Sequence, residues 1–531
     1  MGLVDWIGRI RNSAEGLIVR SKTFEFASLI VVAGLVVSLH AHYLIWKPVE
    51  LGYNVDYGMY ITGAKALAQG EGYRLITSVG KPAITLYPPG QSAFLSLLWS
   101  PLQSYSANLT RLRYGMLFLD YLSLVVCYYC LAMATLPRVL AAGAAALIGT
   151  SPIWYKMVAL ICSEPLFCSV LGLIFLIYAR WQREKGGHLI LGIFLAALYL
   201  TRTAIAPAIL VISIVVLVRA WSSRNVASAL QFLLPVVVAV GGWKLMIQQS
   251  GSGNYGNAFT ARFESLGGTL GYLHACLHNG WLFASGRVWL EAVAPMIIRF
   301  SEMRLLHTLH LKIPAQIAVA TLGFGSTLLL SVGLWKWIRS GELYLTTSVI
   351  AYIALLCVWP YDVVRLALPI IPIVFGIAWA GFSELATSPG WRQRLVTLGM
   401  LLLMVSTGGN VFVLRTEAPS MKEYCRLAEL REIAAVVREL DPASRLETEW
   451  YVPELDLYEM TGHPLSATSA STRQDVRYTQ PVSGTGLPKE FFRLTVETTE
   501  PKFQVPGNSE TRQLIKRSSG GRYELWKIQL N

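Results

Sequence analysis

The chain has 531 residues, 54% of them hydrophobic and only 15% charged. Soluble domains carry roughly a quarter charged residues, so this composition, with a mean hydropathy of +0.47, excludes an ordinary water-soluble globule. The formal net charge of +13 does not indicate nucleic-acid binding, because the basic residues punctuate apolar runs rather than gathering in a patch.

Taken in chain order, Arg9, Arg11, Arg20 and Lys22 precede the first apolar run, Phe26 to Trp46. No small-residue cleavage site follows, so residues 1–25 read as a cytoplasmic N-terminus and the run as a start-inside anchor. Further spans are predicted near 114–134, 139–160, 163–181, 188–201, 203–220, 227–247, 313–335, 343–359, 363–383 and 395–414. With the first run they make about eleven, judged against the roughly 20 apolar residues that cross a hydrocarbon core. The span at 188–201 is short, and Thr201-Arg202-Thr203 interrupts the pattern after it. Alternating sides from an inside start puts Arg138, Arg180, Arg183, Lys185, Arg219, Arg224, Lys336, Arg339, Arg392 and Arg394 in the cytoplasm. The same alternation puts two long loops, 47–113 and 248–312, outside.

The expected fold is therefore an all-α polytopic membrane protein. A transmembrane domain occupies 26–415, with amphipathic helices in its first outer loop. Residues 416–531 form a small extracytoplasmic α/β appendage. A helical period places Leu427, Leu430, Ile433, Ala434 and Val437 on one face, and alternating runs such as Leu455 to Tyr458 and Tyr523 to Ile528 follow.

Mapped onto this topology, the polar residues converge on the outer side. Asp56 stands at the start of a helical stretch, Tyr57 to Gln69, that ends at Gly70-Glu71-Gly72. The positive end of the helix dipole favours its ionised form there, which suits both a helix cap and a general base. Tyr87-Pro88-Pro89-Gly90 then makes an extended turn into the apolar stretch Gln91 to Leu102. Ser163-Glu164-Pro165 opens a span, with Ser163 able to cap it and Glu164 expected close to Lys156 as a structural or a catalytic pair. Arg202 and Arg365 sit at outer turns, where a guanidinium either snorkels to headgroups or forks onto phosphate oxygens. Asp120, inside an apolar run, must be hydrogen-bonded or protonated, and helix pairing is its expected role.

Other signals are weaker. Cys127 and Cys130 have metal-like spacing but lie mid-helix with no second pair, so they read as core; the seven cysteines make no disulfide framework. His274 with His278, and His307 with His310, have helical spacing but no accompanying carboxylate motif, so no metal site is expected. No P-loop, Rossmann fingerprint, GxSxG or HExxH occurs, which leaves nucleotide-driven chemistry without support.

The order Asn54-Val55-Asp56-Tyr57, Ala64-x-x-Leu67-Ala68-x-Gly70-x-Gly72-Tyr73 and Tyr87-Pro88-Pro89-Gly90 resembles the multi-spanning C-type glycosyltransferases. Ser163-Glu164-Pro165-Leu166, the segment Pro360 to Arg365 with Leu368-Pro369, and the tail phrase Leu457-Tyr458-x-x-Thr461-Gly462 fit the same pattern. The nearest members are the dolichyl-phosphate-mannose–protein mannosyltransferases and the bacterial aminoarabinose transferases of lipid A.

The resemblance implies an inverting transfer of a sugar from a polyprenyl-phosphate carrier to a hydroxyl on a protein, glycan or lipid. It casts Asp56 as the base, with Glu164 orienting acceptor or donor. Arg202, Arg365, Lys156 and Tyr87 would hold the donor and its phosphate. Tyr57 follows Asp56 where many relatives carry a second acid, so no metal or other cofactor is expected. A bacterial inner membrane with the site on its periplasmic face is the expected location. The rival class is a transporter or flippase for lipid-linked sugars, or an O-antigen-type ligase.

Overall fold

The computed structural model describes residues 22–46, 55–78, 80–133, 136–181, 187–250, 260, 262–302, 312–340, 343–359, 363–386, 388–420, 427–440, 446–448, 461, 465–467, 490–496, 510–519 and 523–530. Every segment expected to span is helical, which makes this an integral membrane protein of helical class. Six helices among the described residues are long and apolar enough to cross: Tyr105–Met133, Thr203–Ser223, Val226–Gln249, Ile313–Arg339, Val363–Leu385 and Val396–Thr416. A seventh crossing is possible from a bent pair, Pro152–Ala159 with Glu164–Ile177. Four further apolar helices, Leu29–Ile45, Arg138–Gly149, His188–Thr201 and Thr346–Val358, fall short of that length. By length and composition the count is thus six or seven, and the expected eleven is not established.

One predicted span is corrected outright. Segment 139–160 is not a single helix but two, Arg138–Gly149 and Pro152–Ala159. The cause is legible in Ser151-Pro152: a proline disfavours helical geometry in the residue before it, and Ser151 is extended at φ −58° and ψ 129°. The chain then bends by 108° between Pro152–Ala159 and the next helix, through Ile161 in the left-handed region at φ 52°.

In lipid, helices gain little from apolar burial against one another, so small residues that let backbones approach matter more. Gly333 of the helix Lys312–Arg339 lies against the Ile377 carbonyl of Ile371–Leu385, and Gly381 of the latter lies against the Leu329 carbonyl. A methyl group at either position would collide with backbone, so the two helices are joined at van der Waals distance.

The segment between the first two long helices folds back on the helices. Val55–Ala68 is helical as expected, and Gly70 and Gly72, at φ 76° and 78°, supply the left-handed turns that end it. A short antiparallel bridge, Arg74 to Ala83, follows, and Gly90–Ser96 forms the second loop helix. Gly90 is wedged against the later helix Gly187–Thr201: an added Cβ would sit 2.6 Å from the Leu200 carbonyl oxygen and 2.8 Å from Thr201 Cα. Backbone cannot step aside cheaply. Gly90→Ala is therefore expected to cost about 1–3 kcal/mol, read as an earlier melt in thermal denaturation, whereas an unchanged midpoint would mean that the loop lifts off the helix.

The tail carries its own core. Leu427–Val437 packs Leu430, Ile433, Ala434 and Val437 against Leu446, Leu494, Tyr523 and Leu525, as the helical period anticipates. The sheet has the order β2 (Leu465–Ala467), β1 (Leu446–Thr448), β3 (Glu490–Val496), β5 (Tyr523–Leu530), β4 (Glu510–Arg517). Strand β1 is parallel to β2 and β3, and the other pairs are antiparallel, with Leu494 opposite Leu525. The predicted run Leu455 to Tyr458 lies outside the described residues.

Candidate active site

Four charged side chains from distant parts of the chain meet where the segment after the first helix joins the other helices. Asp56 occupies the first turn of Val55–Ala68. Glu164 opens the helix Glu164–Trp181, immediately after the 108° bend. Arg202 is extended, at φ −158°, in the break between Gly187–Thr201 and the short helical turn Thr203–Ile205. Arg365 lies on Val363–Ala367, and the Tyr352 hydroxyl pins that short helix by donating to the Leu366 carbonyl at 2.9 Å.

The four form an alternating chain of charge. Arg365 donates from Nη2 to Asp56 Oδ2 and from Nε to Glu164 Oε1, each at 2.5 Å. Arg202 Nη1 lies 2.6 Å from the same Glu164 oxygen, an ion-pair contact without hydrogen-bond geometry. Glu164 is wholly buried, whereas the other three keep between 14% and 20% of their side chains exposed, so Glu164 is the deepest of the four. Buried carboxylates of this kind persist only with cationic partners, and here each acid has one or two. Among the described residues, Glu164 Oε2 accepts no hydrogen bond.

Tyrosines frame the carboxylates. Tyr87 donates its hydroxyl to Asp56 Oδ1 at 2.5 Å, so both oxygens of Asp56 are engaged. Tyr73 donates to the Tyr87 carbonyl at 3.0 Å and thereby holds the Pro88-Pro89 turn. Tyr60, one turn after Asp56, packs its ring 5.3 Å from Tyr87 and donates to the Ser163 hydroxyl at 3.1 Å.

Of the six residues singled out from the sequence, Asp56, Tyr87, Glu164, Arg202 and Arg365 come together. Lys156 does not. Its side chain is exposed on Pro152–Ala159, and the expected pairing with Glu164 gives way to the two arginines. The bend explains this: proximity in sequence across residues 156–164 is undone by the 108° turn between the helices. Lys156→Ala should change neither fold nor any activity of the site by more than about twofold, the range of an ordinary surface substitution. A larger loss of turnover would return Lys156 to the site. Tyr60 and Tyr352 escaped the sequence reading, because a tyrosine in an apolar run carries no local mark of its partner.

Cys127 and Cys130 are buried core residues, as read from the sequence. Among the described residues no group of three or more His, Cys, Asp or Glu is placed to hold a metal ion. His307, His310 and the stretch Pro360-Tyr361-Asp362 lie outside the described residues.

No family model matches the sequence, and no curated protein matches it. Solved structures do. The crystal structure of ArnT from Cupriavidus metallidurans bound to undecaprenyl phosphate superposes with a TM-score of 0.54 at 14% identity, over 95% of this chain and 98% of that one. The apo state of the same protein aligns with a TM-score of 0.49 at 13% identity, over 97% of this chain. At such identity the likeness speaks for the fold, and it covers transmembrane helices and tail together. This chain has the fold of ArnT.

Proposed function

We propose that this chain is an inverting glycosyltransferase that moves a sugar from a polyprenyl-phosphate carrier to a hydroxyl acceptor at the extracytoplasmic face of the membrane. The observation that carries this reading is the joining of Asp56 to Arg365, which in turn meets Arg202 on Glu164. A carboxylate beside two guanidiniums is what such a transfer requires: a base for the attacking hydroxyl and cations for the departing phosphate. The fold shared with ArnT, a protein crystallised with undecaprenyl phosphate, supports a lipid-linked donor. The basic residues at the opposite helix ends support an outward-facing site.

In the step proposed, the acceptor oxygen attacks the anomeric carbon from the face opposite the carrier. Asp56 takes the hydroxyl proton, the bond from that carbon to the phosphate oxygen breaks, and the carrier leaves as a phosphate monoester. Arg365 and Arg202 stabilise the charge that gathers on its oxygens, in the two-point manner guanidinium allows. Tyr87 orients the Asp56 carboxylate through the bond at 2.5 Å. Glu164 keeps the arginines apart and oriented, and its Oε2 is an acceptor suited to a sugar or acceptor hydroxyl. The base and the cations are all side chains, and the step as written requires no metal.

The test is reconstitution of the purified protein with a panel of polyprenyl-phosphate sugars and of protein, glycan and lipid acceptors. Donor consumption and carrier phosphate release are followed beside an assay of lipid exchange between leaflets. Consumption of one donor supports the reading. Leaflet exchange with no turnover on any donor overturns it in favour of a transporter.

A further inference from the structure

Asp120 takes no part in the proposed step, yet it is wholly buried in the middle of the apolar helix Tyr105–Met133. An ionisable group at such depth is costly unless its oxygens are occupied. Both are. Trp154 donates its indole N–H to Oδ1 at 2.7 Å, and His40 Nδ1 lies 2.7 Å from Oδ2, with Trp154 and His40 also wholly buried. Three residues along the same helix, Ser123 donates to the Pro165 carbonyl at 2.8 Å and pairs with Ser169 at 2.8 Å. Positions three apart share a helix face.

One face of Tyr105–Met133 thus grips the chain on both sides of the 108° bend, at Trp154 before it and at Pro165 after it. Between those grips lie Ile161, at φ 52°, then Cys162, Ser163 and Glu164. His40 ties in the first helix as well: its ring is 5.2 Å from Tyr155, which Tyr43 approaches at 6.1 Å.

We propose that Asp120 is a positioning residue for Glu164: with Ser123 it templates the elbow between Trp154 and Pro165, and the elbow sets the carboxylate where Arg202 and Arg365 converge. A buried polar cluster is a weak device for stability, since well-packed apolar side chains serve as well. Its bonds are directional, however, and an elbow that must deliver one carboxylate to two guanidiniums needs direction. The effect on lipid-phosphate binding rests on the transferase reading. The effect on the elbow does not.

The test uses the full chain in nanodiscs, with Asp120→Leu, Asp120→Asn, Glu164→Gln and the double variant Asp120→Leu/Glu164→Gln. Hydrogen exchange over 157–168 reports the elbow, and the affinity for undecaprenyl phosphate reports the arginines. Asp120→Leu should speed exchange in the elbow, leave Val226–Ser250 as it was, and weaken undecaprenyl phosphate by about tenfold, as loss of a buried polar partner implies. Because both residues act through one carboxylate, the double variant should bind no more weakly than Glu164→Gln alone. Asp120→Asn keeps an acceptor for Trp154 and should recover affinity to within about threefold of wild type. Losses that multiply in the double variant, an asparagine as damaging as leucine, or an elbow whose exchange is unchanged would each overturn the proposal. Should Asp120→Leu fail to fold, Trp154→Phe and Ser123→Ala release one grip each and are held to the same elbow readout. A wild type that binds no undecaprenyl phosphate sinks the transferase reading, and the elbow exchange then decides this one alone.

Discussion

Asp56→Asn should hold the lipid-linked donor at least as tightly as wild type while turning it over about a hundredfold or more slowly, the usual worth of a positioned general base. The two halves of this expectation come from different bonds. Asparagine has nearly the shape of aspartate and fills the same space between Tyr87 and Arg365. It cannot take a proton from a hydroxyl, so the chemical step fails. It also carries no charge, so Arg365 loses one of its two carboxylate partners and gains capacity for a phosphate. The measurement pairs single-turnover rates with equilibrium binding of undecaprenyl phosphate. A variant that turns over at a rate near wild type ends the assignment of Asp56 as base. A variant that binds nothing marks it as a residue of binding instead.

The second large effect is expected at Arg365. Its guanidinium joins Asp56 to Glu164, so Arg365→Gln leaves two carboxylates with one arginine between them, and that arginine reaches only Glu164. Breaking a buried pair by removing one partner costs about 3–5 kcal/mol, so the variant should melt well below wild type. It should also lose undecaprenyl phosphate binding by a hundredfold or more, by about the 1.4 kcal/mol per factor of ten that a missing two-point contact would account for. Arg365→Lys separates the two causes. Lysine restores a charge but is a point donor without the planar fork, so stability should recover in part while binding stays weak. Full recovery of binding by lysine would show that charge alone, without the fork, suffices at this position.

The main lines of this architecture are legible in the sequence because lipid imposes a simple grammar. Apolar runs become helices, and an arginine such as Arg202 or Arg365 between apolar helices demands an anion. Five of the six chosen site residues meet for that reason. What was illegible depends on contacts far apart in the chain. The partners of Asp120, His40 and Trp154, stand 80 and 34 residues away, and nothing near Asp120 names them. Tyr352 looks like any tyrosine of an apolar helix until Leu366 is seen beside it. The misplacement of Lys156 comes from the 108° bend between it and Glu164, and the misread span 139–160 has another origin. The Ser151-Pro152 signal for a break was present in segment 139–160, but hydropathy averaged over a window passes smoothly across it. The number of crossings suffers in the same way, since four apolar helices, Arg138–Gly149 among them, are shorter than a bilayer is thick.

The alternating row Asp56, Arg365, Glu164, Arg202 is electroneutral when counted as two acids and two bases. Such a row can rest at the edge of hydrocarbon with no counterion drawn from water, which isolated charges there could not do. In the proposed function, a lipid phosphate would be a guest that upsets a balanced host. Its negative charge has to be matched by surrender of an internal pair, and the pair nearest the outside, between Asp56 and Arg365, is the one exposed enough to yield. In the proposed reaction, the same exchange that admits the donor would untie the carboxylate that the acceptor hydroxyl needs.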